Sequence, residues 1–248
     1  MAAVKQSSGI IETIKTIIYA GAIAIVIRTV AYEPFNIPSA SMVPTLLVGD
    51  YLFVSKFSYG YSHFSMPFSP PIFSGRIFAS QPKRGDVIVF KLPRDGKTDY
   101  IKRLIGLPGD RIQMINGILN VNGEPVGRVR VADYLDRLPN GSVMAFPQYD
   151  ERLPGGKVHR IIEQLGDAGP LDNTDVYTVP PGYYFMMGDN RDNSLDSRVP
   201  TEVGFVPFEN LIGRAEFIFF STDGSANLLE FWKWPFAIRY GRLFQGIK

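Results

Sequence analysis

The sequence predicts a mainly β protein: one antiparallel β domain that carries an inserted cap lobe and is tethered by a single N-terminal transmembrane helix. The 248 residues include 19 prolines and 24 glycines, and 13% are aromatic. This composition is typical of β proteins with many turns. Strand-like composition recurs along the chain, at residues 51–57, 86–91, 100–105, 183–187 and 211–220. One long apolar run near the N-terminus is the exception.

That apolar run predicts an uncleaved membrane anchor over residues 16–34. From Thr16 to Tyr32 only Arg28 interrupts the apolar sequence, and this length is close to the ~20 residues that a spanning helix needs. A cleaved signal peptide is the alternative, but Tyr-Glu-Pro-Phe follows the run where a cleavage site would need small residues. Lys5 and Lys15 lie on the amino side of the run and place residues 1–15 in the cytoplasm.

The rest of the chain divides into a main β domain, over residues 35–123 and 177–248, and an inserted lobe. Two hairpin turns are predicted in the domain, at 93–96 and at 116–117, from their Asp-Gly and Asn-Gly pairs. Residues 124–176 are rich in charge and glycine and show little periodicity. We therefore expect them to form a smaller cap lobe.

Two apolar segments allow two interpretations. Residues 58–82 form a loop of Ser, Pro, Gly and large apolar side chains, and residues 231–240 mix aromatic with basic side chains. Such segments usually pack onto a core. Beside a membrane anchor, contact with the bilayer surface is the second interpretation.

Composition excludes several classes of function. The net charge is +2, from 26 basic and 24 acidic residues, whereas nucleic-acid binding needs concentrated basic charge. The chain has no cysteine, so disulfides and thiolate sites are excluded. Without cysteines or a paired-histidine motif we expect neither a metal nor another cofactor.

A proline-flanked serine pair follows the apolar run. Ser39 and Ser41 would point the same way in an extended strand, because side chains alternate. Pro38 and Pro44 restrict the backbone on either side. Such rigidity suits a nucleophile, which must be held in an attack geometry. A plain connector between anchor and domain is the alternative.

A serine nucleophile needs a base, and Lys102 is the best candidate. The chain has two histidines, His63 and His159, and neither lies in a motif typical of catalysis. Lys102 stands in an apolar strand, where lost hydration would lower its pKa. Arg103 would lie on the opposite face and repel the ammonium further. A solvent-exposed lysine is the alternative.

Residues 188–198 are dense in carboxylates, amides and hydroxyls. Calcium binding is one interpretation, since carboxylates and carbonyls alternate there. The loop lacks the distal Glu of an EF-hand, and Arg191 and Arg198 already compensate its charge. We expect Asp196 and Arg198 to form an ion pair within this loop. Asp189 could form a second ion pair with Arg103, which lies outside the loop.

Four blocks, in this order, resemble those of the bacterial type I signal peptidases, a Ser-Lys peptidase family. The blocks are 39–46 (SASMVPTL), 83–90 (KRGDVIVF), 100–110 (YIKRLIGLPGD) and 188–198 (GDNRDNSLDSR). The resemblance implies a membrane-bound serine endopeptidase that cleaves N-terminal signal peptides from exported preproteins after small-x-small motifs. Family members with two anchors exist, whereas this chain shows one apolar run.

The resemblance also implies roles for individual residues. Ser41 would be the nucleophile, Lys102 the base and Ser39 an oxyanion donor beside the Ser41 N–H, while Ser194 would orient the amine of Lys102. Supporting positions are Tyr100, Arg103, Asp189, Asp196 and Arg198. Substrate-pocket positions, which are otherwise core residues, are Pro38, Met42, Leu46 and Ile101.

The partners implied are signal-peptide-bearing preproteins and the lipid bilayer, with no nucleic acid. The protein would be a single-pass protein of the bacterial inner membrane, with its catalytic domain on the periplasmic side. Two other classes stay open. One is a self-cleaving Ser-Lys regulator, which the apolar run disfavours. The other is a non-catalytic, membrane-tethered β scaffold, which the intact serine and lysine disfavour.

Overall fold

The computed structural model describes residues 8–66, 69–137, 141–226 and 230–248. Its side-chain description leaves out Ser8 and Arg137. Lys5, half of the charge argument for orientation, lies outside the described residues.

The apolar run forms helix α1, Ser8–Val30. Within it, Gly9–Val30 is apolar and long enough to cross a membrane, and none of that stretch is buried. The predicted bounds of 16–34 are therefore shifted, because the next segment, Tyr32–Asn36, is a strand. Pro34 lacks a backbone donor, so it cannot continue the helix. It is tolerated in this strand, which lies at the edge of a sheet.

All strand pairs are antiparallel. The strands are β1 Tyr32–Asn36, β2 Asp50–Ser55, β3 Val87–Lys91, β4 Asp99–Gly106, β5 Arg111–Ile115, β6 Ile118–Val121, β7 Glu124–Pro125, β8 Gly127–Arg130, β9 Tyr134–Arg137, β10 Val143–Phe146, β11 Gln148–Arg152, β12 Val158–Ile162, β13 Tyr177–Thr178, β14 Tyr183–Met187, β15 Val206–Pro207 and β16 Leu211–Ser221. A short helix, α2, covers Trp234–Ala237. The mainly β prediction is confirmed.

The strands form four sheets. The largest has seven strands in the order β1-β2-β16-β3-β4-β14-β15, and a second has the order β13-β5-β6-β7. The predicted hairpin turn joins β5 to β6, and Asn116 and Gly117 both have positive φ, 49° and 71°. Two successive positive φ values are the signature of a type I′ turn, which matches the twist of the flanking strands.

The residues between the two halves of the domain contain more regular structure than the sequence indicated. Strands β12-β11-β8 form a three-stranded sheet, and β9 pairs with β10. Several of these strands are exposed along most of their length, so they lack the alternation of apolar and polar residues that marks a half-buried strand. The division into a domain and a cap lobe at 124–176 stays a prediction.

The large sheet positions three segments at one place. β4 carries Lys102, the chain turns at Ser41 soon after β1, and residues 188–198 follow β14. β14 pairs with β4 only from Arg103 to Gly106, whereas β3 covers the other side of β4. Within the described ranges, no strand pairs with Asp99–Lys102 on the β14 side. This open stretch of strand edge lies beside the serine.

Candidate active site

Ser41 and Lys102 are in direct contact. Lys102 Nζ lies 2.6 Å from Ser41 Oγ and 3.1 Å from the carbonyl oxygen of Ile101. Only 3% of Lys102 and 7% of Ser41 is exposed. The ring centroid of Tyr100 is 5.3 Å from Nζ. An amine held this way is placed to take the hydroxyl proton once it is neutral.

Burial lowers the pKa of Lys102 from 10.5 to about 8, because removal of water disfavours the ammonium. The carboxylates of Asp196 and Asp189 oppose this effect, and the positive charge of Arg198 adds to it. The sequence argument named Arg103 as the repelling cation. In the structure the charge of Arg103 is compensated by a buried ion pair with Asp189.

The serine segment is not the extended strand that the sequence predicted. Ser41 to Thr45 form successive turns, held by hydrogen bonds from Val43 N to Ala40 O (3.1 Å) and from Leu46 N to Met42 O (2.9 Å). The two hydroxyl groups still face each other, with Ser39 Oγ 3.4 Å from Ser41 Oγ. Among the described residues the N–H of Ser41 has no hydrogen-bond acceptor.

The polar loop 188–198 fastens this turn. Asn190 donates from its backbone N–H to Ser41 O and from its side-chain amide to Ala40 O, both at 3.1 Å. Thr45 Oγ1 donates to Asp189 Oδ2 over 2.5 Å. Sequence reasoning missed Asn190 and Thr45. The density of polar groups in the loop was the only signal for the first, and nothing in the sequence marked the second.

The predicted pair of Arg103 and Asp189 is present and fully buried. Arg103 Nε and Nη2 donate to the two oxygens of Asp189 over 2.8 and 2.7 Å. Burial alone would raise the pKa of Asp189, but the charge and hydrogen bonds of Arg103 hold it below its usual value. The pair occupies the face of β4 opposite to Lys102, as alternation along a strand requires.

Asp196 and Arg198 also pair as expected. Arg198 Nε and Nη2 lie 2.9 Å from the carboxylate of Asp196, and Asp196 Oδ2 accepts the backbone N–H of Gly188. Burial opposes ionisation of Asp196, yet the charge of Arg198 keeps its pKa below the usual value. The pair therefore fixes the backbone at Gly188, next to the serine.

Ser194 does not make the predicted hydrogen bond to Lys102. Its Oγ is buried, and its hydroxyl acts on the neighbouring carboxylate of Asp196, whose pKa it helps to lower. It does lie close to the nucleophile, because a side chain at Gly188 would overlap both Ser194 Oγ and the carbonyl oxygen of Ser41. The sequence could place this residue near the site but could not fix its rotamer.

Neither histidine belongs to this site. His159 is buried 3.4 Å from Glu151 and 3.8 Å from Asp189, and burial, with the charge of Arg103, lowers its pKa to about 4. His63 lies 3.1 Å from Glu209. Within the described residues no hydrogen bond joins a histidine to Ser41, which agrees with the expectation that no Ser-His pair forms.

A cavity of about 490 Å³ opens beside Ser41 and Lys102. Of the four predicted pocket residues, Pro38 and Ile101 line it. Met42 and Leu46 do not: both are fully buried in the core cluster behind it. The pocket prediction was wrong for these two, because a turn in place of a strand directs their side chains inward. Lining residues that the sequence did not single out are Phe35, Asn36, Ile37, Ala40, Val89, Thr98, Asp99, Asn193 and Leu195.

The family described as "Signal peptidase, peptidase S26" matches residues 10–220 of the chain. The chain belongs to this family. Signal peptidase I of Rickettsia conorii is 43% identical over 241 residues, which cover 91% of this chain and 88% of that protein. Signal peptidase I of Rickettsia canadensis is 42% identical over 249 residues, covering 94% and 92%.

A solved signal peptidase I from Enterococcus faecalis is 29% identical, over 54% of this chain and 97% of that one, with a TM-score of 0.32. The fold class therefore rests on the strands of the chain itself. Because the chain belongs to the peptidase S26 family, the protein is a serine peptidase and therefore a hydrolase. The relatives named signal peptidase I act on secretory preproteins.

Proposed function

We propose that this peptidase is a membrane-tethered endopeptidase that removes N-terminal signal peptides from exported preproteins with Ser41 as nucleophile and Lys102 as general base. The observation that carries the proposal is the 2.6 Å contact between Lys102 Nζ and Ser41 Oγ in a buried setting. A serine hydroxyl is a weak nucleophile until a neighbouring base takes its proton. The lowered pKa of Lys102, about 8, makes the neutral amine accessible near physiological pH.

In the first half of the reaction Ser41 Oγ attacks the scissile carbonyl carbon while Lys102 Nζ accepts the hydroxyl proton. The N–H of Ser41, which has no acceptor among the described residues, and the hydroxyl of Ser39, which lies 3.4 Å from Ser41 Oγ, donate to the oxyanion that forms. Collapse of the tetrahedral intermediate breaks the peptide bond. The ammonium of Lys102 returns the proton to the departing amine, and the signal peptide stays bound to Ser41 as an ester.

In the second half a water molecule attacks that ester. Lys102, again neutral, takes a proton from the water, and the oxyanion donors act as before. The proton then passes to Ser41 Oγ as the ester bond breaks, which releases the signal peptide with a free carboxylate. Ser194 is retained as a positioning residue for the amine, because its buried hydroxyl lies beside Gly188, next to the carbonyl oxygen of Ser41.

The substrate is proposed to bind as an extended strand along Asp99–Lys102. No strand of the described ranges pairs with this part of β4 on the side of the serine. Main-chain hydrogen bonds to such an open edge give affinity that is independent of sequence. The cavity walls at Pro38 and Ile101 leave room for small side chains. We expect specificity for small residues at the first and third positions before the cleavage site, with Pro38 and Ile101 as the walls that limit side-chain size.

Helix α1 is proposed as the single anchor, with the amino end in the cytoplasm and the catalytic domain at the periplasmic face of the inner membrane. The support is an apolar helix with no buried surface. Arg28, near its carboxyl end, is ion-paired with Glu33 at 2.7 Å. Protease added outside spheroplasts should digest the chain after residue 36. Protection of that region would contradict this orientation.

The test of the function is cleavage of a purified preprotein by the full-length protein in detergent, followed by mass measurement of both products. Ser41→Ala should abolish cleavage, whereas Ser225→Ala, an exposed serine outside the site, should leave it unchanged. Cleavage of the enzyme's own chain alone would favour a self-cleaving regulator. Absence of both cleavages in the native protein would favour a scaffold.

A further inference from the structure

Three carboxylates meet away from the serine, where the inserted segment contacts the polar loop. Glu163 follows β12 directly, Asp172 precedes β13, and Asp192 belongs to the loop 188–198. One oxygen atom from each lies within 4.8 Å of the other two. Like charges this close repel one another unless a cation or a proton lies between them.

Glu163 is completely buried, yet none of the described residues donates a hydrogen bond to its carboxylate. The nearest cation, Arg128 Nη1, is 3.6 Å away, beyond hydrogen-bond distance. That guanidinium is already engaged, since it donates to Gly117 O (3.0 Å) and to Asp167 Oδ1 (2.7 Å). A buried carboxylate without a donor is costly, so it normally has a partner.

The other two carboxylates are held in place by the backbone. Asp172 Oδ2 accepts the N–H of Gly169 (2.6 Å), and Asp192 Oδ2 accepts the N–H of Leu165 (2.7 Å). Asp172 Oδ1 is buried and has no hydrogen-bond partner in the described part of the chain. A side chain at Gly169 would overlap Asp192 Oδ1. The free oxygens are thus aimed at a common space beside Glu163.

Burial and mutual repulsion disfavour the ionised forms of Glu163 and Asp172. Burial, with the negative charges of Asp192 and Asp172, raises the pKa of Glu163 to about 8, although Arg191 and Arg128 oppose the shift. Burial also raises the pKa of Asp172. Arg191 pairs with Glu151, to which both of its terminal nitrogens donate, and among the described residues it makes no hydrogen bond to Glu163.

We propose that Glu163, Asp172 and Asp192 bind a divalent cation of the calcium type. Oxygen-only ligands suit a hard cation, and Ca²⁺–O distances of about 2.3–2.6 Å place opposite ligands up to roughly 5 Å apart. The present spacing, within 4.8 Å, accommodates Ca²⁺ with water as additional ligands. Mg²⁺ demands ligands at about 2.0–2.1 Å in a near-ideal octahedron, whereas Ca²⁺ accepts irregular geometry, which suits carboxylates from three separate segments.

This site departs from the sequence expectation of no metal. The sequence argument weighed the loop 188–198 alone, whereas two of the three ligands come from the inserted segment. The cation would strengthen an existing connection, in which Ile162 N donates to Asp189 O and Arg191 N to Ile162 O, both at 3.0 Å. Asp192 lies two residues before Ser194, so the cation would brace the loop that contacts the serine turn.

The test uses the full-length protein in detergent at about pH 8.5, where Glu163 is mostly ionised. Thermal unfolding is followed in excess EDTA, in 5 mM CaCl2 and in 5 mM MgCl2. With Kd near the 0.1–1 mM typical of extracytoplasmic calcium modules, Ca²⁺ should raise the Tm by about 5 °C and Mg²⁺ by less. Calorimetric titration should give one Ca²⁺ per chain.

Two variants and a matched control separate a cation site from a structural role. Glu163→Gln and Asp192→Asn should lose the Ca²⁺-dependent rise, and in EDTA Glu163→Gln should be at least as stable as the native protein. Glu202→Gln changes a partly exposed glutamate that is paired with Arg94 and should keep the full rise. No rise in the native protein, as expected if Glu163 and Asp172 merely share a proton, would overturn the proposal. An equal rise in Glu163→Gln would also overturn it. Binding is read without substrate, so this outcome is independent of peptidase activity.

Discussion

Replacement of Lys102 by methionine should change how stability depends on pH. Methionine has a similar length and no charge, so the variant never buries an ammonium. In the native protein the pKa of Lys102 is about 8 in the folded state, whereas in the unfolded chain it has its ordinary value of 10.5. A shift of this size corresponds to about 3 kcal/mol, at ~1.4 kcal/mol per pKa unit.

The sign follows from proton binding. Below pH 8 both states of the native protein hold the proton, and the folded state carries the full cost of the buried ammonium. Between about pH 8 and 10.5 the unfolded chain binds more protons than the folded one, so native stability rises with pH. The free energy of unfolding of Lys102→Met minus that of the native protein should therefore fall by about 3 kcal/mol from pH 7 to pH 11. Loss of the hydrogen bonds to Ser41 and Ile101 adds only a constant.

The assay is urea unfolding of the full-length protein in detergent, followed by tryptophan fluorescence at several pH values. Lys97→Met is the control, because Lys97 is exposed and its replacement should give no comparable pH-dependent difference. A constant difference between the native protein and Lys102→Met from pH 7 to 11 would refute the claim that burial shifts this lysine. The slope against pH decides the question, so the absolute stabilities need not be known.

Three further outcomes are expected. Gly188→Ala should reduce kcat by at least ~100-fold with the fold intact by circular dichroism, since its methyl group would overlap Ser194 Oγ and Ser41 O; near-native turnover would be incompatible with this packing. Preproteins with Phe at the first or third position before the cleavage site should be cut ~100-fold more slowly, as measured by kcat/KM; equal cleavage would show that the pocket is misplaced. Asp189→Asn should cost about 3–5 kcal/mol in urea unfolding at neutral pH because it leaves Arg103 buried without its counter-charge. The effect should disappear as pH falls through the lowered pKa of Asp189, and a pH-independent loss would exclude the ion pair as its cause.

The fold was predictable where burial imposes a regular pattern. Apolar or β-branched segments predicted the helix and the strands around Val87–Lys91, Tyr183–Met187 and Leu211–Ser221. The Asn-Gly pair at 116–117 predicted the turn between β5 and β6. Strands β8 and β10 of the inserted segment were missed because most of their residues are exposed, so no buried face imposes a pattern on them. β1 was missed because Pro34 is rare in strands and is accepted here only at the edge.

The site was predictable in its chemical groups and less so in its geometry. The sequence blocks placed Ser41, Lys102 and the ion pair of Arg103 with Asp189. They could not reveal that the serine segment is a turn, which moves Met42 and Leu46 from the pocket into the core. Contacts between residues far apart in the chain leave no local pattern, so the hydrogen bond from Asn190 N to Ser41 O could not be predicted. The same reason hid the three-carboxylate cluster.

The central claim is that neutral Lys102 is the base for Ser41, and turnover of the Lys102→Arg variant tests it most directly. Arginine keeps the positive charge, but its pKa above about 12 prevents it from accepting the proton. With a pKa of about 8, native kcat/KM should rise about tenfold from pH 7 to 9 and then level off, because the neutral fraction grows from roughly 10% to 90%. Lys102→Arg should show no cleavage above the Ser41→Ala background at any pH from 7 to 11. Preprotein cleavage by Lys102→Arg within about tenfold of the native rate would contradict the account, because the base would then have to be another group.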